Sequence, residues 1–491
     1  MTLRAFLPVA AIALVVAASR LPFAADHLWA WDSVLYARAL ERGFHVDFEM
    51  IGQRPQPPGY ILYLALANLF RVAGAGTNGA LVLVSIVSSG VGAAAVFVLS
   101  RRLAGVAPAA IAALAYACSP LVWMYSSIAY PYALLGAGSV ILAALFQHSR
   151  PRGLRWWAFA SLSFGLGSGF RQDLLLLLGI LWLWMLVPAS WRQRCIAAAC
   201  VGAGMLVWLV PTAALSGGLG SYLLALAKQT DQVRATYSIQ AQGLSALSFN
   251  IGFTLEALAW GLVGFAIVLA GGGLVQLAAS RRAGSLSLGQ QGLFFAAWVL
   301  PALLFYVAVH IGEWGYLLSV LPGLYVLAAV SIARLAALLP QRPQRAWHGV
   351  AALLALAPAF TFVASDAQFS AASIRTHDQA WTARIAYVTA NFPTDRTVVL
   401  AREDFLLVRH YLPQYRAWLY DPEPHRNGMA KSKKTMRTTT IVMFTEGLRP
   451  RPGLQVSEVE VAPGIRLSYF TVEPGEVVEF SGERFMVRDT Q

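Results

Sequence analysis

The sequence predicts a mainly α fold, a polytopic helical membrane protein of about eleven transmembrane helices plus juxtamembrane helices, followed by a small C-terminal α/β extracytoplasmic domain. Three observations carry this reading. Of the 491 residues, 57% are hydrophobic and only 12% charged, against roughly 25% charged in soluble domains, and the mean hydropathy is +0.58. Several apolar runs reach the roughly 20 residues that an α-helix needs to cross the hydrocarbon core, about twice what a barrel strand needs. After Ala364 the composition changes to alternating helix-like and strand-like runs.

The formal charge of +13 would suit a nucleic-acid binder, but its location excludes that class. Residues 1–365 hold 21 Lys/Arg against 9 Asp/Glu, and the tail holds 16 against 15, so the excess belongs to the membrane part. Cys118, Cys195 and Cys200 all fall within or beside apolar runs, which supports neither a disulfide framework nor a four-ligand zinc site.

The chain opens with MTLR and an apolar run that imitates a secretory signal, with Phe23-Ala24-Ala25 resembling a cleavage site. The many spans that follow favour an uncleaved first helix over 5–24. Further spans are read at 79–100, 104–125, 128–147, 156–170, 172–188, 195–214, 250–278, 290–309, 315–338 and 347–365. The apolar segment Gly59 to Val72 is short and carries Asn68 and Arg71; it is read as a helix lying against the outer interface. The short connections then predicted to be cytoplasmic include Arg101, Arg102, Arg150, Arg152, Arg155, Arg281 and Arg282, with no acidic residue among them. That is a positive-inside pattern, which puts the N-terminus in the cytoplasm and the C-terminal domain outside. The membrane is read as a bacterial inner membrane.

The carboxylates of the membrane part gather toward the opposite side. Asp26, Asp32, Glu41, Asp47 and Glu49 lie in or just ahead of Trp29–Tyr63, Asp173, Asp231 and Glu313 fall on the same side, and Glu256 lies near that end of its span. The clustering suggests a polar site opening outward, with solvated loop charges as the alternative. Arg171, Gln172 and Asp173 separate two short apolar helices, so they sit in a cavity or at a protein interface, unless they only clamp a helical hairpin. In the outer loop 215–249, Lys228 and Arg234 are suited to a phosphate or to interfacial anchoring. His310 and Glu313 stand in a link whose Trp314 and Tyr316 are ordinary interfacial anchors.

In the tail (domain 366–491, after a membrane domain 1–365 whose residues 25–75 form the first outer loop), HDQAWTARIAYVTANF and DFLLVRHYL read as helices. TVVLA, YRAWLY, TTTIVMF, LQVSEVEV, IRLSYFTV and EVVEF read as strands, and KSKKTMR as an exposed loop.

A carboxylate at Asp32, at an aromatic-rich boundary, can take the proton of a hydroxyl nucleophile. Cations proposed for the same face, Arg54, Arg171, Lys228 and Arg234, would neutralise a departing phosphate. Transfer of a sugar from a polyprenyl phosphate requires such a pairing.

The order of features resembles the GT-C superfamily of integral-membrane glycosyltransferases, in particular its family 39-like and aminoarabinose lipid A transferase branch. There a first helix precedes W-x-x-D-E-x-x-Y-A and then a basic residue before Pro-Pro; here Trp29 to Ala37 and Gln56-Pro57-Pro58 stand in those places. The resemblance implies that Asp32 is the catalytic carboxylate and that the first outer loop forms juxtamembrane helices. SGFRQD is similar to the family's helix break, with Arg171 as the cation, Arg234 resembles a phosphate-contacting arginine, and HIGEWGYLLSVLP resembles a late segment that places Glu313 near the site. Ser33 replaces the second acid of the D-E pair, a possible metal ligand, so no metal is carried over and the sequence supports no divalent-metal cofactor; Gln56 replaces the basic residue before Pro-Pro. Tyr132 stands where relatives often have a charge.

These readings converge on a glycosyltransferase moving a sugar with inversion from a polyprenyl-phosphate donor to a lipid, glycan or protein acceptor. Asp32 is the catalytic base, and Arg171, Arg234, Arg54 and Lys228 hold the donor phosphate. Asp47, Glu49, Tyr60, Asp173, His310 and Glu313 are secondary substrate contacts. A transporter or lipid flippase is the competing class. Many transporters carry repeated broken helices, but no second copy of the Trp29–Tyr63 pattern occurs and the polar groups favour one face.

Overall fold

The structure, a computed structural model, describes residues 3–49, 52–282, 289–420, 439–445, 455–472 and 487–489. Helices α1 (Leu3–Arg20), α2 (Trp31–Arg42), α3 (Ile61–Val72), α4 (Thr77–Ala104), α5 (Val106–Cys118), α6 (Pro120–Ser127) and α7 (Tyr132–Ser149) come first. Then come α8 (Leu154–Gly167), α9 (Asp173–Met185), α10 (Trp191–Leu215), α11 (Leu219–Tyr237), α12 (Ile239–Gln242), α13 (Leu244–Leu262) and α14 (Phe265–Arg282). The set closes with α15 (Gln290–Ala308), α16 (Leu321–Ala337), α17 (Gln341–Ala364), α18 (Ala371–Asn391) and α19 (Phe405–Tyr411). The six strands are β1 (Thr397–Ala401), β2 (Arg416–Tyr420), β3 (Thr439–Met443), β4 (Ser457–Ala462), β5 (Ile465–Val472) and β6 (Val487–Asp489). The expected EVVEF strand and KSKKTMR loop lie outside the described residues.

The chain is an integral membrane protein of many apolar helices. Six described helices are each long and apolar enough to cross a membrane, or eight spans if each of two bent pairs counts as one. The expected span 104–125 is such a pair, α5 and α6 meeting at 57°. Pro120 has no N–H to continue the ladder and opens a new helix instead. The expected span 250–278 is the other, α13 and α14 turning by 99° at Gly264, whose φ of 76° is a left-handed conformation that glycine adopts freely. The expected span 315–338 starts later. Trp314–Ser319 forms a 3₁₀ turn, and α16 begins at Leu321 with Pro322 in its first turn. Helices α8, α9 and α16, with 14, 13 and 17 residues, complete the regions read as spans. As expected, the segment before α4 is only a short helix, the 12-residue α3.

Contacts divide the chain into two units, 1–24 with 36–373 and 25–35 with 374–491. In the first, helices approach closely where side chains vanish. A methyl on Gly90 of α4 would lie 2.2 Å from the Ala13 carbonyl oxygen of α1, and one on Gly165 of α8 would lie 2.1 Å from that of Val201 on α10. Large apolar side chains left outward, such as Leu14, Leu304, Leu353 and Phe360, suit lipid as solvent.

Arg20, at the end of α1, is 1% exposed. Its Nη2 donates to the Ala117 carbonyl in the last turn of α5, its Nη1 donates to Ser19 Oγ at 3.0 Å, and its guanidinium lies 4.1 Å from the Trp123 ring centroid. A cation at a helix C-terminus meets carbonyls that have lost their intrahelical partners. Arg20 therefore closes the break between α5 and α6.

The second unit contains one mixed sheet in the order β4-β5-β3-β1-β2-β6. β1 pairs in parallel with β2 and β3, and the outer pairings are antiparallel. Val398, Leu400, Trp418, Ile441, Met443, Phe470 and Val472 form its apolar core, with the alternation expected of strands covered on a face.

Replacing Arg20 by Ala should lower stability by about 2–4 kcal/mol, from one lost charge-assisted hydrogen bond and one desolvated cation–π contact. Thermal unfolding of the detergent-purified variant checks this; an unchanged midpoint contradicts the role.

Candidate functional site

Between α8 and α9 the chain must turn back with three polar residues in an apolar setting, and the structure turns them inward. Arg171 is 2% exposed. Its Nε and Nη2 donate to Oδ1 and Oδ2 of Asp173 at 3.3 and 2.8 Å, the two-pronged pairing that guanidinium and carboxylate geometry favours. Asp173 stands in the first turn of α9, where the helix dipole favours negative charge. Three tyrosine rings face the guanidinium, Tyr60 at 4.9 Å, Tyr132 at 4.6 Å and Tyr316 at 5.5 Å, each a cation–π contact. Two of its five N–H groups are held by Asp173, and among the described residues no hydrogen bond engages the other three.

Each ring is placed by a local feature. Tyr60 precedes α3 in the left-handed region, φ 49° and ψ 46°, which costs a non-glycine residue about 1–2 kcal/mol. Strain of this kind persists where surroundings enforce it. Tyr132 opens α7 after Pro131, and Tyr316 sits in the 3₁₀ turn before α16. Gly315 makes room for them, since a methyl there would lie 2.3 Å from Tyr132 Cδ2 and 2.9 Å from Tyr125 Cε1. Tyr125 donates its hydroxyl to Glu313 and packs edge-on to Tyr132 at 5.3 Å. His310 is edge-on to Tyr316 at 5.5 Å, and burial pushes its imidazole down to about 4, so it is neutral near pH 7.

An apolar groove of about 460 Å³ opens on the same helix hairpin, lined by Phe164, Leu175, Leu176, Gly179, Ile180, Trp182, Leu183, Val201, Pro301 and Phe305. One helix serves both features. α9 gives Asp173 to the polar nest and Leu175 and Leu176, less than a turn later, to the groove.

In the other unit, the segment leading into α2 is tied down. Asp378 of α18 accepts the backbone N–H groups of Asp26 at 2.9 Å and His27 at 3.0 Å, with the His27 and His377 Nδ1 atoms at 3.3 and 3.5 Å. Burial by itself would raise this carboxyl, but the hydrogen bonds from His27, His377 and the two backbone groups outweigh it and hold Asp378 well below the usual carboxylate range. The Tyr411 hydroxyl accepts the Leu28 N–H at 2.7 Å, and the Trp29 ring lies 4.3 Å from that of His377. Asp32 follows, half-buried in the first turn of α2. Tyr36, one turn on, packs edge-on against Tyr60 at 6.0 Å and Tyr63 at 5.3 Å in the helical unit.

The structure thus joins Tyr60, Arg171 and Asp173 directly, with Glu313 and His310 beside them through Tyr125 and Tyr316. Within the helical unit it does not join Arg54, Asp47, Glu49, Lys228 or Arg234 to that nest by any described hydrogen bond or ion pair. Arg54 donates to the Arg42 carbonyl at 2.8 Å, and Asp47 accepts the Glu49 N–H at 3.2 Å within its own loop. Lys228 and Arg234 are exposed on α11, where Arg234 donates to Gln240. Among the described residues no His, Cys, Asp or Glu cluster is arranged for a metal. Sequence reasoning missed Tyr125, Tyr316, Asp378 and Tyr411. The run AYPY with Tyr125 just ahead was a visible local signal for the first; nothing local marks Asp378, which acts on residues some 350 positions away.

The family model described as dolichyl-phosphate-mannose-protein mannosyltransferase matches residues 56–216. No curated protein sequence matches the chain. Among solved structures, ArnT from Cupriavidus metallidurans bound to undecaprenyl phosphate is similar at a TM-score of 0.58 and 14% identity, covering 96% of this chain and 98% of that one. Its apo form gives 0.57 and 15%, covering 94% and 97%. The Archaeoglobus fulgidus oligosaccharyltransferase gives 0.52 and 13%, covering 83% of this chain and 62% of that one. The likeness is one of fold: the chain has the polytopic membrane fold of the ArnT structures, the branch that the sequence resemblance pointed to.

Because the Asp378 pKa is lowered on folding, its contribution to stability is complete above the unfolded carboxylate pKa of about 4 and is lost as pH falls through the lower folded value. Asp378→Asn should remove that acid-side dependence and speed proteolytic cleavage within residues 25–30. Unfolding midpoints against pH, with limited proteolysis, measure both; superimposable curves for the two proteins refute the clamp.

Proposed function

We propose that this protein is a glycosyltransferase that moves a sugar from a polyprenyl-phosphate-linked donor to a lipid, glycan or protein acceptor at the outer face of a bacterial inner membrane, with the N-terminus cytoplasmic. The observation that carries this reading is the sharing of α9 between a buried cation–tyrosine nest and an apolar groove. A ligand matching both has an anionic head and a long apolar tail. The crystallisation of ArnT, a relative in fold, with undecaprenyl phosphate supports the same ligand class here, and so does the mannosyltransferase family model over residues 56–216.

In this reading Asp32 takes the proton of the acceptor hydroxyl as its oxygen attacks the anomeric carbon. The bond from that carbon to the phosphate oxygen breaks on the opposite side, so the configuration inverts. The free N–H groups of Arg171 stabilise the negative charge that grows on the leaving phosphate. Arg234, Arg54 and Lys228 are further donor contacts, and Asp47, Glu49, Tyr60, His310 and Glu313 secondary ones. Asp173 fixes the Arg171 fork, and the polyprenyl chain lies along the α8–α9 groove.

Transfer of labelled sugar from a synthetic polyprenyl-phosphate donor by the purified protein tests this directly. Asp32→Asn should leave the protein folded and reduce transfer by about 10²–10⁴-fold, the usual worth of a general base. Arg171→Lys keeps the charge but loses the fork, so it should raise the donor KM and lower kcat. Normal transfer by the Asn variant would overturn the role of Asp32.

A further inference from the structure

The far end of α7, about 24 Å from Tyr132 at 1.5 Å per residue, carries a separate group of cations. Arg102 in the last turn of α4, Gln147 and His148 in the last turn of α7, and Pro151 and Arg152 just beyond it line a cavity of about 290 Å³. Arg102 Nη1 lies 3.1 Å from His148 Nδ1. An arginine only donates, so His148 accepts at Nδ1, is neutral, and carries its proton on Nε2. Arg152 Nη1 donates to the His148 carbonyl, and its guanidinium lies 6.0 Å from the Trp156 ring centroid, with Trp156 edge-on to His148 at 4.9 Å.

Capping the end of α7 accounts for the Arg152 bond. It does not account for Arg102, which gives an N–H to a neutral imidazole, or for two like charges lining one cavity. Neither arginine joins an ion pair among the described residues. An anion in the cavity would relieve the repulsion between the two guanidinium groups, and the lining residues Arg102, Arg152, Gln147 and His148 all carry N–H donors. Trp156 and Phe159 of α8 are exposed beside it, 41% and 54%, an apolar flank suited to a bilayer boundary.

We propose that this cavity binds a phosphate group, that of an anionic phospholipid headgroup or of free phosphate, at the end of the bundle away from the Arg171 nest. It shares no residue with the nest or the groove, so it stands independently of the glycosyl-transfer reading.

The full-length protein in nanodiscs is treated with phenylglyoxal, and modification of Arg102 and Arg152 is read by peptide mass spectrometry, with the exposed Arg192 as the control. Relative to phosphatidylcholine discs, discs containing phosphatidylglycerol should slow modification of both by about tenfold to thirtyfold, on the scale of two cations engaging an anionic lipid. Arg192 should slow far less. Equal protection by inorganic phosphate in phosphatidylcholine discs assigns the site to free phosphate; protection by phosphatidylglycerol alone assigns it to the headgroup. Unchanged rates in all conditions, or equal slowing at Arg192, overturn the proposal. In a second measurement, R102Q/R152Q should lose the phosphatidylglycerol retained by the wild type in native mass spectrometry, and equal retention contradicts the site.

Discussion

A guanidinium withdrawn from water has to be paired, and the α8–α9 hairpin is built on that requirement. Lipid offers Arg171 nothing, so the chain supplies Asp173 two residues later, at the helix end where a carboxylate is best tolerated, and encloses the pair in tyrosine rings. The demand propagates outward. Tyr60 accepts a left-handed backbone to reach its place, and Gly315 gives up a side chain so that Tyr132 and Tyr125 can close in. The shortness of α8 and α9 has the same origin, because a polar turn cannot lie among lipid tails and must be reached early.

Arg20 solves the same problem by another route. It meets no carboxylate in its described contacts; it takes a carbonyl at the end of α5 and the face of Trp123. A broken span thus creates the acceptors that a buried cation requires. In the other unit the charge is reversed. Asp378 collects backbone and imidazole N–H groups from the irregular segment ahead of α2, whose backbone forms no helix or strand ladder there. In each case an irregular stretch of backbone and a buried charge satisfy one another.

Much of the architecture was legible in the chain itself. Apolar run length located the helical regions, the charge asymmetry argued for membrane and against nucleic acid, and the alternation after Ala364 located β1, α19, β2, β3, β4 and β5. What misled was continuity. The runs 104–125 and 250–278 are unbroken in hydropathy, yet Pro120 and Gly264 divide each into two helices, since hydropathy records preference for lipid and carries no information on bend angle. Of the nest, Arg171 and Asp173 stand out in the sequence as polar residues between apolar helices, and Tyr60 was singled out with the Gln56-Pro57-Pro58 segment. Tyr125 and Tyr316 were not, because a tyrosine at a membrane boundary is ordinary by composition and acquires meaning only from what lies beside it.

The sequence by itself determined the class of protein, its helical regions, the α/β tail and the polar turn at Arg171, because each is a local property of length, composition or spacing. Only tertiary structure decided which polar groups act together. It joined Tyr60, Tyr132 and Tyr316 around Arg171 from segments far apart in the chain, tied Asp26–Leu28 to Asp378 and Tyr411, and left Lys228, Arg234 and Arg54 outside the nest. The physical reason is that a charge carries no record in sequence of its partner. Pairing is selected by which groups the packed helices and strands bring within a few ångströms of one another.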